Sequence, residues 1–285
     1  MRSSGLHRVM FTAALLWVAR TGANADWIRE FRAEGLYNSN VSRSNREEDR
    51  LDDFAFGAAV RFGKFTHLDS ADRLRLTFTL DLDSQAFAEF DDFSNISAGA
   101  TASLRYRFGL GAMAPFLRVE GGVRWADFND ELQDGVRSDL SVVIGKRVLE
   151  RLELQTGYVF DHTQTRTSLY DQQGHGFFAR ITFDLTSSTQ LSAEYSFRDG
   201  EVVSYNVPPR PDLIALANTR LDVNIFGTPY VAYNLDATTQ RGAFGIHQAI
   251  TRNVGVSLRY ELQSTTRDQI DYTSHVFLAA IHISL

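Results

Sequence analysis

Residues 73–83 read Arg-Leu-Arg-Leu-Thr-Phe-Thr-Leu-Asp-Leu-Asp, and this stretch decides the fold. Apolar side chains from Leu74 to Leu82 occupy every second position, and charged or hydroxyl side chains occupy the positions between them. Only a period of two puts these sets on opposite faces, so the pattern predicts a β-strand. Its length of about eleven residues is what a tilted strand needs to cross the hydrocarbon core of a bilayer.

The same alternation recurs along the chain and predicts about twelve strands. We therefore expect an all-β protein, a single antiparallel up-and-down transmembrane β-barrel with apolar side chains toward lipid and polar ones toward the lumen. The blurred run Val142-Val143-Ile144 leaves the facing of the sixth strand open. The predicted strands are residues 28–37, 53–62, 73–83, 96–108, 117–125, 137–148, 152–160, 177–185, 191–197, 242–250, 254–262 and 272–285.

A soluble barrel or sandwich would also alternate, with its apolar face forming the core. The solvent-exposed faces of the strands in such proteins usually carry Lys and Glu. The polar faces here carry Arg together with Asp and Glu, plus Ser, Thr and Gly, and this favours the membrane barrel.

The predicted connections alternate between long and short, as in outer-membrane barrels. The longest is Asp199–Gln240, which holds four of the five prolines and is therefore predicted to be mostly loop, with Tyr230–Tyr233 as a possible early start of the next strand. The connections 38–50 and 126–135 are also long, whereas 186–189 and 251–253 are tight turns.

Both ends of the sequence indicate export to the outer membrane. A basic head, an apolar run Val9–Ala19 and the small-residue pattern Ala23-Asn24-Ala25 predict a signal peptide at residues 1–25, followed by the barrel at 26–285. The alternating run from Phe277 to Leu285 looks like the terminal strand that outer-membrane assembly machinery recognises. The expected partners are therefore membrane lipid, lipopolysaccharide and that machinery, in a Gram-negative bacterium.

Composition limits the remaining classes. The net charge of −6 argues against nucleic-acid binding. The chain has no cysteine, so its stability cannot come from disulfides. No glycine-rich phosphate loop is present, and His247, His275 and His282 fall on separate predicted strands, so we expect no cofactor and no metal site.

The predicted inner faces are rich in arginine and in acidic side chains. In one interpretation these line a pore and set a transverse field that selects small solutes; in the other, they neutralise one another and fill the interior. The candidate lumen residues are Arg75, Asp81, Asp83, Arg105, Arg107, Arg118, Glu120, Arg124, Arg180, Glu194, Arg198, Arg259 and Glu261.

The loops suggest two further chemistries. Acidic loops around Asp92 and Asp130 could meet divalent cations or lipopolysaccharide, but they are better interpreted as a solvated rim. A lipid-modifying enzyme would need a Ser and a His held together, and His162, Ser168, Asp171 and His175 are predicted in the loop after strand seven without a lipase motif. No strand-borne Ser and His are predicted at one height, and we expect no enzyme.

The end of the first strand, Leu36-Tyr37-Asn38-Ser39-Asn40-Val41, carries a resemblance. It resembles the Tyr-Asp-Ser-Asn-Val start of barrels of the surface-lipoprotein-assembly-modifier type and of a family of porin-like barrels, with Asn38 in place of Asp. The resemblance implies a channel or envelope role, in some cases beside polysaccharide or surface export.

Together these features predict a porin-like channel for small polar solutes in the outer membrane. The alternatives are a non-conducting scaffold or export partner for surface lipoprotein or polysaccharide, with Asp199–Gln240 as its docking element, and an outer-membrane lipid-modifying enzyme. The sequence predicts no particular oligomeric state.

Overall fold

The computed structural model describes residues 27–268 and 270–285, which fold almost entirely into β-strands. The predicted signal peptide at residues 1–25 lies outside these described residues. One short helix, α1 (Pro211–Leu216), interrupts the strands. The strands are β1 (Trp27–Asn38), β2 (Asp53–His67), β3 (Leu74–Phe87), β4 (Asn95–Arg107), β5 (Phe116–Phe128), β6 (Gly135–Leu149), β7 (Leu152–Thr165), β8 (Gln172–Asp184), β9 (Thr189–Asn206), β10 (Thr219–Val223), β11 (Tyr230–Ala249), β12 (Val254–Arg267) and β13 (Ile270–Ser284).

Twelve of these strands close into an antiparallel barrel, so the predicted fold class is confirmed. Each strand pairs with the next along the chain, except that β9 pairs with β11. Pairing of β13 with β1 closes the ring. The short strand β10 pairs with β11 outside the ring.

The apolar faces of the strands point outward. In β3, Leu80 is 50% exposed, whereas the next residue, Asp81, is only 8% exposed. In a soluble barrel the leucine would be the buried residue of this pair, so that alternative fold is wrong. The facing of β6 is also settled, because Val142 and Ile144 are exposed and Val143 is buried.

No helix within residues 27–268 and 270–285 is both long and apolar enough to pass through a bilayer.

The prediction that Asp199–Gln240 is mostly loop is wrong. Strand β9 continues to Asn206. Strand β11 begins at Tyr230, which confirms the early start predicted at Tyr230–Tyr233. The four prolines lie outside the strands, where no backbone N–H is needed for strand pairing. Pro208 and Pro209 follow β9, Pro211 begins α1, and Pro229 precedes β11. Each proline therefore marks a break, but the residues around the breaks are strand.

The two ends of the barrel differ in their connections. We call them the long-loop end, with connections 39–52, 88–94, 129–134, 166–171 and 207–229, and the short-turn end, with 68–73, 108–115, 150–151, 185–188 and 250–253. The predicted contrast in length is only partly right, since 108–115 is longer than 129–134. The difference that matters is that β9 and β11 extend beyond the wall at the long-loop end.

Candidate functional site

The extension of β9 and β11 begins where both strands lose their outer neighbours. Pairing of β8 with β9 stops at Gly200, and pairing of β12 with β11 stops at Thr238, but β9 and β11 stay paired up to Asn206 and Val231. Gly200 has a φ of +152°, and a Cβ there would lie 2.3 Å from the carbonyl oxygen of Gln173. Glycine is therefore required at the point where the strand bends away from the wall. We call residues 201–237 the cap.

The cap crosses the mouth of the barrel. Phe226 of the cap stacks edge-on against Phe90, with ring centroids 4.9 Å apart, and contacts Phe93 at 5.7 Å. Phe90 and Phe93 belong to the connection between β3 and β4, which lies six strands away from the β9–β11 junction in a ring of twelve. Contact between opposite sides of the ring means that the cap spans the opening.

Hydrogen bonds fasten the cap to two other connections. The backbone N–H of Tyr205 donates to the carbonyl oxygen of Ser42 at 2.8 Å, in the connection between β1 and β2. The side-chain amide of Asn234 donates to the carbonyl oxygens of Leu169 and Asp171 at 3.0 and 2.7 Å, in the connection between β7 and β8. The cap is thus held from three directions around the mouth.

A buried arginine organises the polar part of the cap. Arg210 is 1% exposed and donates to the side-chain oxygens of Asn206, Asn45 and Asp212. Asn206 also accepts from the hydroxyl of Ser44 at 2.6 Å. The hydrogen bond from Arg210 holds the pKa of Asp212 well below its usual range, at about 2. Arg210 therefore links the cap to the connection between β1 and β2.

Apolar packing is concentrated in this cap. The two hydrophobic clusters among the described residues both lie at the long-loop end, one around Phe226 and Tyr205 and the other around Tyr233 and Leu213. The described interior nearer the short-turn end is lined mainly by polar and charged side chains instead. A closed barrel with a polar interior has room for water and for polar solutes.

Directly under the cap lies an upper chamber of about 520 Å³. Its roof includes Tyr170 and Tyr205. Burial raises the pKa of Tyr205 to about 12, so its hydroxyl stays neutral. The walls combine amide, guanidinium and aromatic side chains: Asn38, Gln85, Asn95, Gln133, Gln172, Arg43, Arg124, Arg137, Phe87, Phe93 and Phe128.

Most of the predicted lumen residues are brought together as ion pairs. Arg124 lies 2.7 Å from Asp83, and Arg259 contacts both Glu194 and Glu261 at 3.4 and 3.3 Å. The remaining pairs are Arg61 with Asp81, Arg180 with Glu194, Arg198 with Asp161, and Arg241 with Glu261. Some of these pairs join neighbouring strands, such as Arg61 with Asp81, and others reach across an intervening strand, such as Arg124 with Asp83.

Three predicted residues follow a different arrangement. Arg75, Arg105 and Arg118 lie opposite one another on β3, β4 and β5, and we call them the arginine ladder. They line a lower chamber of about 340 Å³ in the half nearer the short-turn end, together with Glu120. Arg107, two residues beyond Arg105, ends β4 at the short-turn rim.

The structure brings together histidines that come from separate strands. His282 Nε2 lies 2.9 Å from the hydroxyl of Ser257, and its ring is 5.6 Å from that of His247, so strand-borne Ser and His do meet at one height. His275 pairs instead with the Tyr260 hydroxyl at 2.9 Å. Strand pairing across β11, β12 and β13 creates these contacts, and spacing along one strand could not reveal them.

The structure does not bring the four candidate catalytic residues, His162, Ser168, Asp171 and His175, together into one site. His162 lies in β7 and His175 in β8, both exposed, rather than in the connection between those strands. Asp171 accepts a hydrogen bond from the backbone N–H of Thr165 at 2.6 Å and so closes that connection. Within residues 27–268 and 270–285, no group of three or more His, Asp or Glu side chains is placed to hold a metal ion.

Comparison with known proteins identifies the architecture. The chain is similar to the NanC porin, with 10% identity over 90% of this chain and 100% of that one and a TM-score of 0.51. It is also similar to an outer-membrane channel from Pseudomonas putida F1, with 11% identity over 93% and 100% of the two chains and a TM-score of 0.57. The fold is that of outer-membrane β-barrels. No protein-family model and no curated protein matches the sequence.

Sequence reasoning missed the cap and the aromatic supports of the lumen. The signal for the cap was present in Val202, Val203 and Tyr205, three residues of the kinds that favour strands, with no Gly or Pro among residues 201–206. Phe116 precedes the predicted fifth strand by one position and lies inside the barrel, buried next to Arg105.

Proposed function

We propose that this protein is a channel in the outer membrane of a Gram-negative bacterium and passes small polar solutes. The observation that carries the proposal is the lumen below the cap, where chambers of about 520 and 340 Å³ have many charged and polar side chains in their walls. A barrel kept only as a scaffold could fill this space with apolar packing, which stabilises folded proteins more readily than buried ion pairs do.

The ion pairs suggest which solutes the lumen favours. Pairs such as Arg124–Asp83 and Arg241–Glu261 fix opposite charges on different strands of the wall. Fixed charges of both signs around a narrow lumen set a field across it, which favours dipolar or charged solutes over apolar ones.

Location and partners follow from the outer surface. We propose that the exposed apolar side chains, such as Phe56 and Leu80, contact membrane lipid, and that lipopolysaccharide surrounds the long-loop end. We propose that the barrel assembly machinery inserts the chain, that the protein binds no nucleic acid, and that it is not an enzyme.

The cap favours a second candidate function, a non-conducting barrel. The contacts of Phe226 with Phe90 and Phe93 cross the mouth, and a permanently closed mouth would stop conduction. In that case the cap, which replaces the predicted docking loop, would present the protein to a surface lipoprotein or polysaccharide.

Conductance in a planar lipid bilayer separates the two candidates. The refolded full chain is compared with Phe226→Ala, which loosens the cap, and with Leu221→Ala, which removes an exposed leucine from the same segment. We expect discrete ohmic steps, more frequent for Phe226→Ala and unchanged for Leu221→Ala. Silence from all three proteins, with circular dichroism showing folded barrels, would reject the channel and leave the non-conducting barrel.

A further inference from the structure

The arginine ladder differs from every ion pair described above. Arg75 lies opposite Arg105, and Arg105 lies opposite Arg118, so three like charges stand side by side on adjacent strands. Like charges directly opposite one another in a sheet destabilise it. An arrangement with this cost calls for an explanation other than the stability of the barrel.

Direct ion pairs are scarce at the ladder. Arg75 and Arg105 form no ion pair with any carboxylate of residues 27–268 and 270–285, and Arg118 has only a long contact of 4.0 Å with Glu120. The Nε atoms of Arg105 and Arg118 are buried and have no hydrogen-bond partner among those residues. A buried donor without an acceptor is unfavourable, so these atoms are suited to an acceptor that the protein does not supply.

Aromatic rings hold the ladder in place. The guanidinium of Arg105 lies 3.8 Å from the ring centroid of Phe116, and that of Arg75 lies 5.6 Å from the ring of Phe65. The Phe116 ring fits only because residue 145 is glycine, since a Cβ there would lie 2.3 Å from the ring. A ring supports the face of a guanidinium and leaves its N–H groups at the edge free to donate.

We propose that the arginine ladder binds an oxyanion, the carboxylate or phosphate group of a small solute. Guanidinium groups match the two oxygens of such a group, and arginines on neighbouring strands about 5 Å apart can share it. The hydroxyls of Thr77, Thr101 and Ser103 line the same chamber and add weaker donors. This inference deepens the proposed function, because it names the class of solute that the lumen selects.

The surroundings restrict the size and charge of the ligand. The lower chamber has a volume of about 340 Å³, which suits a compact molecule. Glu30, Glu120 and Glu153 also line it, and Glu153 already accepts a hydrogen bond from Gln155 at 2.6 Å. These carboxylates repel a second negative group placed beside them, so the bound oxyanion points at Arg75 and Arg105.

Isothermal titration calorimetry on the refolded full chain in detergent micelles tests the site without requiring an open channel. Succinate and inorganic phosphate are the probes, and glycerol is the uncharged control. We expect heat of binding with at least one of the two anions and none with glycerol. The anion that binds more tightly identifies the ligand as a carboxylate or a phosphate.

Two matched variants make the test specific. Arg105→Gln should weaken the affinity at least about tenfold, because it removes the central charge of the ladder. Arg241→Gln removes a lumen arginine that is already paired with Glu261 and should change the affinity less than about twofold. Failure of the folded wild-type chain to bind either anion, or equal losses in the two variants, would overturn the proposal. Binding by a protein that never conducts would reject the channel but keep the site.

Discussion

The rings of Tyr205 and Phe93 meet edge to face, with centroids 5.8 Å apart and planes at 74°, although β9 and the connection between β3 and β4 lie on opposite sides of the barrel. Such aromatic pairs stabilise the fold by more than their buried area alone provides, because the positive edge of one ring faces the negative face of the other. In this protein the pair joins the cap to the far rim.

A double-mutant cycle measures this contact. We expect Tyr205→Ala and Phe93→Ala to show a coupling of about 0.5–1.5 kcal/mol, the usual range for edge-to-face rings. The readout is the rate at which a protease cleaves the cap in the folded barrel. Strict additivity of the two substitutions would mean that the rings do not hold the cap.

Arg210 is expected to latch the cap. Arg210→Ala leaves the side-chain oxygens of Asn206, Asn45 and Asp212 with one donor fewer, at a total cost of about 1–3 kcal/mol. Hydrogen exchange of the cap amides should speed up accordingly. Arg220→Ala, an exposed arginine on β10, is the control and should leave exchange unchanged. Similar exchange in both variants would exclude the latch.

Mild acid should not open the cap. The pKa of Asp212 is lowered to about 2 by Arg210, so its stabilisation is complete above the unfolded value near 4 and is lost only as the pH falls through about 2. Burial, and then the negative charges of Asp91 and Asp130, raise the pKa of Asp92. Protonation of Asp92 in acid therefore removes an unfavourable charge and stabilises the folded connection. Protease resistance of the cap should therefore be equal at pH 7 and about pH 4. Cleavage that increases between these values would contradict this assignment.

The outward face of β3 gives a test of membrane insertion. Leu80→Arg places a charge toward lipid and should destabilise the barrel by about 2–4 kcal/mol if Leu80 lies near the bilayer midplane. Thr101→Arg, on the lumen side of the neighbouring strand, is the matched control and should be tolerated. Unfolding in guanidinium from lipid vesicles gives both values. Equal losses would mean that the two faces are not in different environments.

The sequence was sufficient for the barrel wall because facing depends on a local period of two. Leu80 and Asp81 needed no knowledge of their neighbours to be assigned to opposite faces. The cap was missed because its strands are covered on both sides: Val202 packs in one cluster and Val203 in the other. Strands buried on both faces lose the alternation on which the prediction relied.

The charged residues of the lumen were predictable as a set but not as pairs. Arg105 and Arg124 look alike in the sequence, yet of the two only Arg124 forms an ion pair with a described carboxylate. Which arginine meets an acid depends on the registers of β3, β4 and β5 and on the height of each residue in the barrel. Spacing along one strand carries neither quantity.

The position of β10 has a consequence for neighbouring molecules. A closed barrel has no free strand edge, but this sheet ends at β10, whose far side has no strand partner among the described residues. Arg220 and Asp222 stand exposed on this strand, and charges there discourage edge-to-edge pairing with another chain. In a crowded membrane these two side chains would help to keep adjacent copies of the protein from joining into one continuous sheet.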